Sequence, residues 1–193
     1  MNNIDTVQVV TVIVMAVFYI AYFAKQMSQK RQGINTMILG KGDKPESQKK
    51  LEIMLKIATF AMPAVELFSI RWSLMTIPTW LQWVGVVIAA HGVVFFIASM
   101  LTMKGNWRAG VPDKKETSLV TTGIYSISRN PAFVGFDFMY LGIVIAFPNA
   151  WHACAAAFTA WLFHKQIKSE EVFLKTAFGK EYLEYKNKVR RYI

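Results

Sequence analysis

Five stretches of this chain carry almost no charge, and nearly every basic residue lies between them. They run from Val7 to Phe23, Ile53 to Ile70, Leu81 to Met103, Ala132 to Phe147 and Ala150 to Phe163. A bilayer core of about 30 Å takes roughly 20 helical residues per crossing. The stretches therefore read as crossings. The expected fold is all-α: a polytopic membrane protein of five transmembrane helices with a C-terminal cytoplasmic helical tail, one domain spanning 1–193. Pro63 is expected to kink the second helix. The last two stretches are short, and Pro148 to Ala150 joins them as a tight helical hairpin.

Charge placement checks the count independently. Five crossings put the N-terminus outside and the C-terminus in the cytoplasm. The inner segments are then Lys25 to Lys56, Lys104 to Arg129 and the tail from Lys165, and they hold every Lys and Arg except Arg71, as inner loops should. Trp72, Trp80, Trp83 and Trp151 fit an aromatic belt at the outer face. The net charge of +10 suits attraction to anionic inner-leaflet lipids. It does not suggest nucleic acid, because the basic residues are spread over three loops and the aromatics lie in the membrane. A lone cysteine, Cys154, excludes an internal disulfide and a cysteine zinc site. His91, His152 and His164 stand too far apart to form a metal site. The first apolar run lacks a basic leader and exceeds the ~7–15 residues of a signal core, so it reads as a retained helix. The brevity of the chain suits a bacterial or archaeal inner-membrane protein.

Three ionisable residues fall within the spans. Glu66 and His91 lie near the middle of the second and third, and Asp137 lies two turns past Pro131, close to the inner surface. Such groups are functional candidates by default. Their other reading is packing polarity, with Glu66 and His91 hydrogen-bonded across neighbouring helices at about 1 kcal/mol.

Two cytoplasmic stretches are richer than topology requires. In Lys104 to Gly135, Pro131 turns Asn130 away from helical geometry and is itself tolerated in a first helical turn. "RNP" thus reads as a helix start with Asn130 as N-cap, preceded by a turn at Gly123. Such an end presents free N–H groups to an anionic ligand, although any helix entering a membrane needs a cap. In the tail, a helix is expected to start at Ser169, with Glu170 and Glu171 in its first turn, and to break at Gly179. Acids there offset the helix dipole or accept hydrogen bonds from a ligand.

The two stretches together resemble the C-terminal signature of the isoprenylcysteine carboxyl methyltransferase and phospholipid methyltransferase group of membrane enzymes. Gly123 and Tyr125 are followed by Arg129, Asn130, Pro131, Phe133 and Gly135, then a helical hairpin, then Glu170, Glu171, Leu174, Phe178, Gly179, Glu181, Tyr182 and Tyr185. The family-like part is about 104–193. Asn130 stands where the family has His, and Phe133 where it has Tyr. Asn still hydrogen-bonds but does not titrate near pH 7.

The resemblance implies an integral-membrane methyltransferase using S-adenosylmethionine, with a lipophilic or small acceptor entering from the bilayer. It implies a cofactor pocket walled by Leu119, Val120, Gly123 and Tyr125. Asn130 and Pro131 would hold the cofactor's amino-acid end, Glu170 its adenosine or amino end, and Tyr182 and Tyr185 would close the pocket. Arg129 and Asp137 are the candidate catalytic residues. Membrane sterol reductases, which use a nicotinamide cofactor, share a related signature, but their chains are longer. A non-enzymatic helical subunit would explain the spans without the joint motif.

Overall fold

A computed structural model describes residues 5–73, 75–110 and 118–193. Residues 111–117, which include Lys114 and Lys115 of the expected inner loop and Thr117 of the approach to the motif, lie outside the described residues. The described chain is built from six α-helices: α1 (Thr6–Arg31), α2 (Glu46–Arg71), α3 (Thr79–Met103), α4 (Pro131–Ala146), α5 (Ala150–Phe178) and α6 (Lys180–Lys188). A short 3-10 turn, Gly123–Ser126, precedes α4. Three helices, Thr6–Arg31, Glu46–Arg71 and the run Thr79–Asn106, are long and apolar enough to cross a membrane. Helix α4 is shorter, roughly 24 Å at 1.5 Å per residue, and equally apolar.

The helices alternate in direction. Gln8 at the start of α1 donates to the Ile70 carbonyl at the end of α2 (2.7 Å). Gln29, near the end of α1, lies against the Lys104 and Gly105 carbonyls just past α3 (3.3 Å each). Gln48 at the start of α2 reaches Gln166 far along α5 (3.2 Å). The basic ends of the helices are thereby gathered at one pole of the bundle. The exposed Trp72, Trp80, Trp83 and Trp151 sit on the opposite helix ends.

The closest approach in the bundle is between α3 and α4. Gly85 and Gly92 lie two turns apart on α3, and Gly135 and Gly142 lie two turns apart on α4. A Cβ built at Gly92 would fall 2.5 Å from the Gly135 carbonyl oxygen and 2.6 Å from the Met139 nitrogen. One at Gly85 would fall 2.5 Å from the Gly142 carbonyl oxygen and the Ala146 nitrogen. Backbones in direct contact maximise dispersion where apolar burial gives no drive between helices, because lipid is as apolar as the core. Phe18, Phe96 and Phe136 fill the space beside this seam, with the Phe18 and Phe96 rings stacked at 4.4 Å.

Helix α2 keeps Pro63 in its interior, where the missing N–H releases the Thr59 carbonyl. Two sequence expectations are corrected. No helix starts at Ser169: α5 runs unbroken from Ala150 to Phe178, because nothing between Phe163 and Phe178 is Gly or Pro. The Ser169 hydroxyl instead donates back to the Lys165 carbonyl, and Glu170 and Glu171 lie two-thirds of the way along a helix, far from any dipole end. The Glu66–His91 pair does not form either. Glu66 is fully buried and accepts from the Tyr19 hydroxyl of α1 (2.8 Å), while His91 is exposed and bonds its own helix at Val87. The expected break at Gly179 is present, with φ +53° between α5 and α6.

Because neither helix can retreat without losing the seam, Gly92→Ala should cost about 1–3 kcal/mol as an overpacked contact. Gly105→Ala, whose Cβ meets nothing nearer than Ile34 at 3.8 Å, should be nearly neutral. Thermal unfolding of the two variants in one detergent compares them; equal melting temperatures would refute the seam.

Candidate functional site

At the basic pole, the segment before α4 is held by the end of the chain. Pro131 occupies the first position of α4, and Asn130 precedes it as N-cap with φ −134°. The Asn130 side chain makes no capping bond, which corrects its expected capping role. Its amide donates instead to the Arg191 carbonyl (2.9 Å), and the backbone N–H of Arg129 donates to the Arg190 carbonyl (3.0 Å). The buried Ser128 hydroxyl accepts from the Asn130 N–H (3.1 Å). Gly123, at φ +59°, starts the 3-10 turn with Thr102 directly against it. The Tyr185 hydroxyl of α6 donates to the Tyr125 carbonyl (2.7 Å).

The adjacent acids of α5 meet different fates. Glu171 points at the turn. Its carboxylate takes two hydrogen bonds from Arg191 (2.9 and 2.8 Å) and an ion pair from Arg129 (2.9 Å). Burial alone would raise the Glu171 pKa, but the Arg191 hydrogen bonds and the two guanidinium charges outweigh it and hold the group below the usual carboxylate range. Glu170 points into a cavity. Burial pushes its pKa up to about 7; the nearby Glu52 charge adds to the rise, while a hydrogen bond from Gln166 and the Lys44 charge oppose it.

That cavity lies between the pole and the membrane-level core. Its polar end is lined by Asn106, Arg108, Leu119, Val120, Tyr125, Arg129, Asn130, Gln166, Glu170 and Tyr185. Its apolar end is lined by Tyr19, Tyr22 and Phe23 of α1, Phe60 and Pro63 of α2, and Phe96, Phe133, Phe136 and Phe163. Phe23 and Phe60 are about half exposed on the outer surface of the bundle, so the wall between α1 and α2 faces where lipid would be. A backbone flap borders the cavity at Leu39 and Ala109: residues 36–38 bond to the Ala109 backbone, with Ile38 N–H to the Ala109 carbonyl (3.0 Å) and Ala109 N–H to the Thr36 carbonyl (2.8 Å).

Leu119, Val120, Tyr125, Arg129, Asn130, Glu170 and Tyr185 therefore meet in one cavity, although Glu170 and Tyr185 lie 40 and 55 positions after Asn130 in sequence. Gly123, Pro131, Tyr182 and Asp137 do not line it. Gly123 and Pro131 shape the turn, Tyr182 is buried behind it, and Asp137 is half-buried elsewhere on α4. The aromatic end drawn from α1 and α2 is not legible in the sequence, since aromatic side chains are common in any span. Its one signal is their density in "VFYIAYF" (residues 17–23).

Two details bear on what the cavity holds. Arg129 Nε and Nη1 are buried with no hydrogen-bond partner, on a side chain 7% exposed; a carboxylate would satisfy them. Glu170 Oε1 accepts from Gln166 (3.1 Å), while Oε2 has no partner among the described residues and is placed for an ammonium or a hydroxyl. Among the described residues no cluster of metal-ligating side chains is found.

A family model described as phospholipid methyltransferase matches residues 80–181. The protein-S-isoprenylcysteine O-methyltransferase of Homo sapiens is 32% identical over 124 residues, 63% of this chain and 44% of that protein. That of Xenopus laevis is 35% identical over 114 residues, 58% of this chain and 40% of that protein. That of Saccharomyces cerevisiae is 40% identical over 82 residues, 41% of this chain and 34% of that protein. The chain spans about four-tenths of the length of these relatives. The solved structure of the eukaryotic intramembrane Ras methyltransferase ICMT superposes with a TM-score of 0.63 at 24% identity, covering 93% of this chain and 63% of that one; the two share a fold.

Glu171→Gln removes the carboxylate paired with the buried Arg129, and should cost about 3 kcal/mol. Since the Glu171 pKa is lowered by folding, its contribution is present above the ordinary carboxylate range and disappears as pH falls through the lowered value. Unfolding followed between pH 6 and pH 3 should show a loss of stability in the wild type that Glu171→Gln lacks.

Proposed function

This chain belongs to the phospholipid methyltransferase family, and from that footing we propose that it is an integral-membrane methyltransferase that uses S-adenosylmethionine. The observation that carries the reading is the meeting of Arg129 and Asn130, from the turn before α4, with Glu170, from α5, on one cavity whose other end is aromatic and faces the bilayer. One domain over 1–193 crosses the membrane five times, with α4 and the first part of α5 as the last two crossings, the N-terminus outside and the basic pole in the cytoplasm. The gathering of the basic ends and the alternating helix directions support this topology.

The residues fit the cofactor. The unpartnered Arg129 donors suit a carboxylate, the free Glu170 oxygen suits an ammonium or ribose hydroxyls, and Leu119, Val120, Tyr125 and Tyr185 wall the same end. Bound there, S-adenosylmethionine supplies an activated methyl group for in-line transfer to a nucleophile. The chain itself has little chemistry left to perform. Arg129, held in one rotamer by Glu171, orients a carboxylate. Glu170, whose pKa burial raises to about 7, accepts hydrogen bonds from the ligand through its open oxygen in the ionised form. The aromatic walls exclude water, which leaves an anionic acceptor poorly solvated and correctly placed. Asn130, bonded to the Arg191 carbonyl, holds the turn and takes no part in proton transfer.

The acceptor is a lipophilic or small molecule with its reactive group at the polar end; a lipophilic one lays its chain along Phe23, Phe60, Phe133 and Phe136. The names of the relatives make an isoprenylcysteine carboxylate the leading candidate. A phospholipid amine and a small thiol are the other acceptors that this cavity admits.

With detergent-purified protein, titration calorimetry should show S-adenosylmethionine binding and no NADPH binding. Glu170→Gln should weaken binding tenfold or more, about 1.4 kcal/mol, with an unchanged melting temperature. Labelled methyl donor supplied with farnesylcysteine, phosphatidylethanolamine or a small thiol should mark one of the three; NADPH binding alone would install a reductase in place of a methyltransferase.

A further inference from the structure

On the cytoplasmic side of the cavity, a hydrogen-bond chain reaches Glu170 from residues that precede the family-matched region. Lys44 and Glu52 form an ion pair at 2.8 Å with side chains 5% and 0% exposed. Glu52 also accepts from the Gly40 N–H (2.7 Å) and from Gln48 (3.1 Å). The same Gln48 amide donates to the Gln166 carbonyl oxygen (3.2 Å), and Gln166 donates to Glu170 (3.1 Å).

We propose that Gln48 and Gln166 are positioning residues that hold Glu170 in its cavity-facing rotamer and tie it to the buried Lys44–Glu52 pair. This rests on the reading that Glu170 contacts the cofactor. With Glu52 and Glu170 both ionised, the donor pattern admits one arrangement. Both ends of the chain are carboxylates that accept, so each glutamine must turn its NH2 group toward an acid, and the Gln166 oxygen must then face Gln48. Glu170 is thus fixed through Oε1, which leaves Oε2 for a ligand. Both links are i,i+4 pairs, Gln48 with Glu52 on α2 and Gln166 with Glu170 on α5, facing each other across the helix interface.

A buried ion pair is weak evidence for stability, since desolvation offsets most of the attraction. Here the pair does something else. Glu52 clamps Gly40, whose neighbour Leu39 lines the cavity, so the flap and Glu170 are anchored to one carboxylate. The charge on Glu170 also feels the pair: Glu52 raises its pKa, and Lys44 and the Gln166 hydrogen bond lower it. The remaining groups around Glu170 are the Tyr125 and Tyr182 phenols, whose pKa values burial raises, the Arg129 guanidinium bound to Glu171, and Arg108 on the cavity wall.

The test is the pH dependence of S-adenosylmethionine affinity in the intact, detergent-purified chain between pH 5.5 and 8.5. Wild-type affinity should fall as Glu170 protonates through about pH 7. Gln166→Leu removes a bond that favours the charged form, so the midpoint should rise and affinity at pH 7 should drop roughly three- to tenfold. Glu52→Gln removes a repelling charge, so the midpoint should fall. Lys44→Met/Glu52→Gln, which removes the pair whole and spares a lone buried lysine, should move it the same way by less. Opposite shifts support the relay, because a loss of packing alone moves both variants together. Equal shifts, or no shift against an intact wild-type profile, overturn the relay and leave the methyltransferase reading standing. Absence of wild-type binding overturns both.

Discussion

The backbone contact between α3 and α4 is the constraint from which the rest of this architecture follows. Inside a bilayer, apolar side chains gain nothing by leaving lipid for protein, so helices associate where their surfaces can touch most closely. Four glycines at two-turn spacing give α3 and α4 that surface. The seam sets α4 antiparallel to α3, and it places the start of α4 beside the end of α3. The Gly123 turn is thereby pressed against Thr102, and the Arg129–Pro131 segment is held at the mouth of the cavity. A looser crossing would leave that segment free to move by more than the tolerance of a binding site.

Onto this seam the chain adds a second set of locks at the polar end, and they come from its far end. Arg190 and Arg191 lend their carbonyls to the turn, and the Arg191 side chain shares Glu171 with Arg129. Two neighbouring glutamates then do unlike work. Glu171 is saturated by cations and is structural, while Glu170 faces a cavity with one oxygen open. Replacement of the expected His by Asn at position 130 fits this economy. The side chain is committed to a carbonyl, a task that needs a donor amide and no titrating proton.

How much of this was legible varied with the range of the interaction. The three long apolar helices and the shorter apolar α4 were visible in the hydropathy, and the gathering of positive charge at one pole was visible in the loops. The glycine break at 179 and the Pro131 helix start were visible because backbone restrictions are local. Ser169 misled for the same reason: Ser followed by two acids is a good local cap signal, yet α5 continues through it because tertiary packing of the helix outweighs a cap preference of about 1 kcal/mol. Glu66 and His91 misled because a sequence gives depth in the membrane but not direction around a helix axis; α1 supplies Tyr19 to Glu66, and His91 turns outward.

By itself, the sequence determined that the chain is helical, that it is built for lipid, that its basic segments share one side, and that its C-terminal half carries a family signature. These properties are sums over residues or short-range rules, and they need no partner to be expressed. The tertiary structure alone decided which signature residues share a cavity and which merely shape the turn around it. It also decided that α1 and α2, which bear no signature, supply the aromatic end and the Lys44–Glu52–Gln48 chain. Such facts depend on which faces of distant helices meet, and that is settled by close packing over the whole bundle.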